Sequence, residues 1–450
     1  MKRAFDAATR HPAWTVAVTV VVVAVPYFVL GPHFLADDYV WLRNAHFDGW
    51  WNAGGPRVAG RPGGWVVAAL SFGAVGAHPA VLYVVLTALR VGAAVLVRRC
   101  LAMFMAARYA LAVTLVWLVM PNHLATEMWL SSMAGPIALG LLAAGISELA
   151  RVTRADPRRL PIVAYLLLAG AVAVYELTAG VAALAVAAVP CLVHGRVRVR
   201  VRDAAIGLVL VAVPALWAAV RSTVYDHSST GKLDPRLVFP GHLSLGFAPF
   251  GAQGRVVTAL GLAAILAAVV RLARRELRPS TGFPDRLVVA GAVVVLAGVA
   301  PLASFATNFF GLHDRLLLVS GVGSAMVWTG AALMVAAWLR RPAVLVAAAL
   351  AFVAIAVPLR AMRTVDYRDA GTDAVRETAR LGATVRASGA RAIDVPGPVA
   401  VVDRVWGLND GWNATASVQL HLDDPTVVVG VVLPDIGRSG PPPDRPRAAF

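Results

Sequence analysis

Residues 13–42 read AWTVAVTVVVVAVPYFVLGPHFLADDYVWL. The first eighteen carry no charge and are mostly valine and alanine. As a helix rising about 1.5 Å per residue they reach about 27 Å, close to the ~30 Å of a bilayer's hydrocarbon core. A Gly-Pro break follows at once, and then two adjacent carboxylates, Asp37 and Asp38. A membrane span ending in an acid-bearing loop is the first unit of this chain, and the rest repeats its texture. Of the 450 residues, 59% are apolar and only 15% charged, against about 25% charged in soluble domains. Hydropathy predicts spans near 13–30, 78–97, 103–120, 134–150, 160–175, 177–194, 204–221, 255–273, 286–304, 315–338 and 342–359. The expected class is an all-α polytopic membrane protein of about eleven transmembrane helices.

The formal net charge of +16 is placed in a way that excludes a nucleic-acid partner. Arginines cluster in alternate short connections: VRR at 97–99, RVTRADPRR at 151–159, RVRVRVR at 196–202, RLARRELR at 271–278 and LRRP at 339–342. The connections between them lack such clusters, which is the positive-inside pattern of a membrane protein. The N-terminus is therefore expected in the cytoplasm of a cell whose plasma (inner) membrane holds the chain. The loops at 31–77, 121–133, 222–254 and 305–314, and everything beyond Pro358, are expected outside. The basic start MKRAFDAATRHPAW lacks a small-residue cleavage site and reads as the lead of a retained helix. Cys100 and Cys191 build neither a disulfide nor a metal framework. Abundant alanine, valine and arginine point to a high-GC bacterial coding sequence.

Three regions follow. Residues 1–360 form the membrane module, with a first outer loop at 31–77. The apolar stretch GGWVVAALSFGAVG at 63–76 is too short to span and is expected at the interface or re-entering, anchored by Trp65. Residues 361–437 change texture: an amphipathic helix over DAGTDAVRETARLGATVRAS, then short strands over PVAVVDRVW and TVVVGVVL, predict a small extracytoplasmic α+β domain. The tail 438–450 is Pro-rich and expected to lack structure. Asn413-Ala414-Thr415 matches a glycosylation sequon.

The ionisable residues expected on the outer side are the candidate site. They include Asp37, Asp38, Arg61, Glu127, Glu176, Arg255, His313 and Arg315, drawn from separate loops and helix ends. Charges beside an apolar phase line a cavity or pair with one another. A carboxylate accepts a proton from an attacking hydroxyl. Arginines hold a phosphate by paired hydrogen bonds and offset charge on a leaving group. Together these are the parts of a transferase with a lipid-phosphate-linked donor. Each residue also has a plainer reading: one aspartate as a helix N-cap, the arginines as solvated charges, Glu176 as a turn marker and His313-Asp314-Arg315 as a surface ion pair. Trp41 is a candidate for stacking on a sugar, against the aromatic belting that accounts for most tryptophans here. No histidine has metal-ligand spacing to His313, so no metal site is assigned, although the residues leave room for a divalent cation as cofactor.

The order of these elements resembles the GT-C superfamily of integral membrane glycosyltransferases, of the protein mannosyltransferase and aminoarabinose transferase type. The matching stretches are LADDYVWL at 35–42, AGRPGGW at 59–65, MPNHLATEMWLSSMAG at 120–135, VYELTAG at 174–180 and HDRLLLVSGVG at 313–323. The resemblance covers roughly residues 1–360. It implies a polyprenyl-phosphate sugar as donor, transfer outside the cytoplasm with inversion, and a first-loop aspartate, Asp37 or Asp38, as general base. The candidate substrate- or phosphate-binding residues are Arg61, Glu127, Arg255, His313 and Arg315, with Arg315 as the preferred clamp on the lipid phosphate. The acceptor is a glycan, a protein or a lipid. Two positions depart from the pattern: Tyr175 stands where relatives carry lysine, and no tyrosine follows Arg315. A transporter or flippase for a lipid-linked or anionic solute is the rival reading, with a non-catalytic envelope-assembly protein as a second.

Overall fold

The computed structural model describes residues 10–55, 61–156, 159–194, 201–225, 255–275, 283–301, 318–397, 400–402, 405–408, 411–433 and 437–439. Among them are fifteen α-helices: α1 Pro12–Leu30, α2 Asp37–Phe47, α3 Pro62–Ala68, α4 Pro79–Ala102, α5 Ala107–Val119, α6 Ala125–Met128, α7 Ala134–Ala155, α8 Ile162–Val174, α9 Ala179–His194, α10 Val201–Tyr225, α11 Arg255–Arg275, α12 Phe283–Val299, α13 Leu318–Leu339, α14 Ala343–Ser388 and α15 Gly411–Leu422. Every expected span falls on one of these helices. Among the described residues seven helical segments, including Pro12–Leu30, Pro79–Ala102 and Leu318–Leu339, are long and apolar enough to cross a membrane. α5 and α8 have 13 residues each, about 20 Å of helix, and fall short of a ~30 Å core by themselves.

Among the described residues, two of the basic connections lie together. Arg154 in α7 donates to the Met103 carbonyl at 2.5 Å, and Tyr109 stacks on Phe283 at 4.6 Å. The basic connections after α4 and α7 therefore share one end. At the other end of α4 the first loop, the segment 121–133 and the turn at 174–178 converge.

Close helix contact inside the bundle depends on glycine. α12 and α13 meet backbone to backbone: a Cβ on Gly323 would lie 2.6 Å from the Gly291 carbonyl oxygen and 2.7 Å from the Val295 nitrogen. Neither neighbour is a side-chain tip that can swing away. Gly323→Ala is therefore expected to push the two helices apart at a cost of about 1–3 kcal/mol. Thermal unfolding in detergent measures this, with Gly92→Ala on α4 as the control, because a Cβ there meets no atom within 4 Å.

Beyond the bundle, the structure joins two expected elements into one. α14 is a single helix of 46 residues with Pro358 inside it, so the boundary placed near 360 falls within a continuous helix. Its first part is apolar. Its second part carries ion pairs at i,i+3 such as Arg376–Asp373 and Arg380–Glu377. The second part also buries a stripe including Tyr367, Ala370, Ala374, Thr378 and Leu381, the helical spacing of an amphipathic face.

That stripe receives the C-terminal module. Strand β1 (Ala392–Pro396) pairs in parallel with β4 (Val428–Leu433), with Ala392 opposite Val428, and β4 pairs antiparallel with β5 (Gly437–Ser439). The expected strand over PVAVVDRVW is instead a hairpin of β2 (Ala400–Val402) and β3 (Val405–Leu408). α15 links β3 to β4 and was not expected from the sequence. Asn413 lies within it, fully buried, so the folded chain does not present the sequon Asn413-Ala414-Thr415 for glycosylation.

Candidate functional site

The two aspartates part company at the first turn of α2. Ala36, before them, has φ 42°, a conformation that side-chain-bearing residues rarely hold. It is held by its own N–H, which donates to the Gly407 carbonyl of β3 at 2.7 Å. From this turn Asp38 points inward and is fully buried. One of its oxygens accepts the Leu35 N–H at 2.9 Å, and the other accepts the Ser131 N–H at 2.7 Å. Trp129 adds an indole N–H to the Leu35 carbonyl at 3.0 Å. Asp38 thus stitches the first loop to the segment 121–133. Asp37 remains partly exposed and takes a hydrogen bond from Asn413 at 3.4 Å.

Burial pushes the Asp38 carboxyl up to about 8, although the two N–H donors pull the other way. Its folded pKa lies above the unfolded value of 3.8. Between about pH 4 and pH 8 the folded state therefore binds more protons, and its stability falls as pH rises through that window. Melting curves across the window are expected to show this slope in the wild type and to lose it in Asp38→Asn. Asp38→Ala deprives two buried N–H groups of their acceptor and is expected to cost about 1–3 kcal/mol for each.

Arg61, half-exposed, pairs with Glu176, which is buried, and sits 5.6 Å from the centre of the Tyr175 ring. The neighbouring close approach fixes this arrangement, because a Cβ on Gly63 would lie 2.5 Å from Val174 Cγ2. Arg61, Glu176 and Tyr175 therefore form one neighbourhood drawn from the first loop and the α8–α9 turn. The cation beside the Tyr175 ring is Arg61.

Trp41 packs edge-on against Phe72 with ring centres 5.2 Å apart. Phe72 belongs to the apolar stretch 63–76, which is α3 continued by a π-turn over Ala69–Gly73. Arg255 begins α11, and its side chain lies outside the described part of the chain. His313 and Arg315 also lie outside the described residues. No group of three His, Cys, Asp or Glu residues among the described ones is arranged to hold a metal ion.

Glu127 has different company from that expected. The segment 121–133 is not an open loop but a chain of short helical turns sunk into the bundle, with Leu124, Glu127, Met128 and Leu130 at most 1% exposed. Arg90 of α4 reaches Glu127 Oε1 at 2.5 Å, Arg360 of α14 pairs with Oε2, and His123 Nε2 lies 3.4 Å away. Arg360 also donates to the Leu118 carbonyl at 3.2 Å. Burial alone would raise the Glu127 carboxyl, but Arg360 and Arg90 outweigh it and hold it well below the usual carboxylate range. Burial pushes the His123 ring down, toward its neutral form, and Arg90 and Arg360 act in the same direction. The cluster locks three segments together.

Arg90 and Arg360 were legible in principle, since each is a lone charge in or beside an apolar run, a pattern that asks for a partner. Arg43 and Asn413 had no such signal. Arg43 is fully buried, donating to Gln419 of α15 at 2.8 Å and pairing with Asp48. Comparison of the chain with family models, curated proteins and solved structures finds no significant match, so the site is read from its own geometry.

Proposed function

We propose that this protein is a membrane glycosyltransferase of GT-C type. It moves a sugar from a polyprenyl-phosphate donor to an acceptor hydroxyl on the extracytoplasmic side of a bacterial plasma membrane. The observation that carries the reading is the split between the two aspartates. Asp38 is buried with both oxygens engaged, whereas Asp37 is partly exposed at the start of the same helix. A partly exposed carboxylate at a helix end, in the same first loop as Arg61 and next to a helical bundle with long apolar spans, suits a reaction that joins a lipid phosphate to a water-soluble acceptor.

In this mechanism Asp37 takes the proton of the acceptor hydroxyl as its oxygen bonds to the anomeric carbon. The bond from that carbon to the phosphate oxygen breaks, and its electron pair leaves with the lipid phosphate. Arg61 offsets the charge developing there. Attack opposite the leaving group inverts the anomeric centre.

The test is purified protein given a radiolabelled polyprenyl-phosphate sugar and a crude envelope acceptor. Release of lipid phosphate with formation of a glycosidic product is the expected result. Movement of labelled solute across sealed vesicles without product makes the protein a transporter instead.

A further inference from the structure

Three polar ties join α2 to α15: Asp37 with Asn413, Arg43 with Gln419 and His46 with Asp423, just past the helix end. The partners are 376, 376 and 377 residues apart in sequence. A nearly constant separation means that the helices lie side by side and run in the same direction. Their N-termini therefore meet, and Asp37 stands where they do.

α15 is also fixed from behind. The Thr415 hydroxyl donates to the Val429 carbonyl at 2.9 Å and accepts the Val429 N–H at 2.8 Å, standing in for a strand neighbour to β4. Gln419 donates to the Pro425 and Val427 carbonyls at 2.9 and 2.7 Å while its oxygen accepts from Arg43. Asn413, Thr415 and Gln419 are all fully buried. The Asn413 amide is thus presented to Asp37 by a helix clamped between the sheet and the first loop.

We propose that Asn413 is a positioning residue for the Asp37 carboxylate, and that the C-terminal module is by this contact a component of the transfer site. A carboxylate at a helix end samples several rotamers, and a general base is effective only when one oxygen faces the acceptor proton. Holding Asp37 Oδ1 from a rigid donor selects the orientation. The module then has a function that a separate appendage would lack: its loss removes the geometry of the base while leaving the bundle intact. The inference rests on the reading of Asp37 as the base.

The experiment compares wild type, Asn413→Ala and Gly323→Ala as full-length protein, with the radiolabelled polyprenyl-phosphate sugar. Asn413→Ala is expected to lower kcat about tenfold, the worth of one hydrogen bond, with donor KM unchanged. Gly323→Ala strains the contact of α12 with α13 and touches neither α15 nor Asp37, and is expected to lower the melting temperature while kcat stays within about twofold of wild type. An Asn413→Ala kcat within twofold of wild type overturns the proposal, as does an equal kcat loss in Gly323→Ala. Absence of turnover in the wild type sinks the glycosyltransferase reading instead. The contact is then judged by a melting double-mutant cycle between Asp37→Ala and Asn413→Ala. Additive effects there overturn it, and a coupling beyond the error of the single variants supports it.

Discussion

Glu127→Gln is expected to be the most destabilising single change in the bundle, at about 3–5 kcal/mol. The substitution keeps the size of the side chain and an acceptor oxygen, so packing is not the cause. What it removes is the one negative charge between two guanidiniums, Arg90 and Arg360, that are each only 6% exposed. Both cations then stay out of water, unpaired with a carboxylate and repelling each other. Arg90 makes the cost unavoidable: it lies eleven residues into α4, about 16 Å from the helix start, where it has no short path to solvent. Arg90→Leu is expected to cost less, because it leaves Glu127 and Arg360 as a matched pair. Melting temperature in detergent and steady-state abundance in membranes measure both. A Glu127→Gln protein as stable as Arg90→Leu, or more so, contradicts this account.

The second large effect is on rate. Asp37→Asn is expected to lower kcat by about 10²–10⁴-fold, the worth of a positioned general base, with the melting temperature near that of wild type. Asp38→Asn is expected to behave in the opposite way. It replaces one acceptor oxygen of Asp38 with an amide that meets a backbone N–H of Leu35 or Ser131, so folding suffers directly and rate suffers through it. Initial rates with the labelled lipid donor, set beside melting curves for the same preparations, separate the two residues. Full activity in Asp37→Asn rules that residue out as the base.

These predictions show how far loop position is a guide to role. Asp37 and Asp38 are neighbours in sequence and share a hydropathy context, yet one is a buried staple and the other is partly exposed. The difference comes from Ala36, whose left-handed backbone is held by Gly407, some 370 residues away. The alternation of apolar spans and arginine-rich connections puts Glu127 in an outer loop. The turns between Pro121 and Met133 instead fold inward, and the partners that draw Glu127 down, Arg90 and Arg360, belong to different helices. Arg61 and Glu176 are brought together as their shared sidedness implied, with Tyr175 beside them.

The apolar, helical class and the approximate position of the long helices among the described residues were legible from composition and hydropathy. These depend on the length of apolar runs, a local property of the chain. The pairing of α2 with α15, the splitting of PVAVVDRVW into a hairpin, the burial of Asn413 and the backbone partners of Asp38 were not. The α2–α15 pairing and the Asp38–Ser131 bond join segments far apart in sequence, and the hairpin and the burial of Asn413 depend on packing that the residues of one segment do not encode. Local sequence states what a carboxylate is and which end of the bundle it occupies. Only the folded chain decides whether it meets backbone N–H groups, two arginines or the edge of a site.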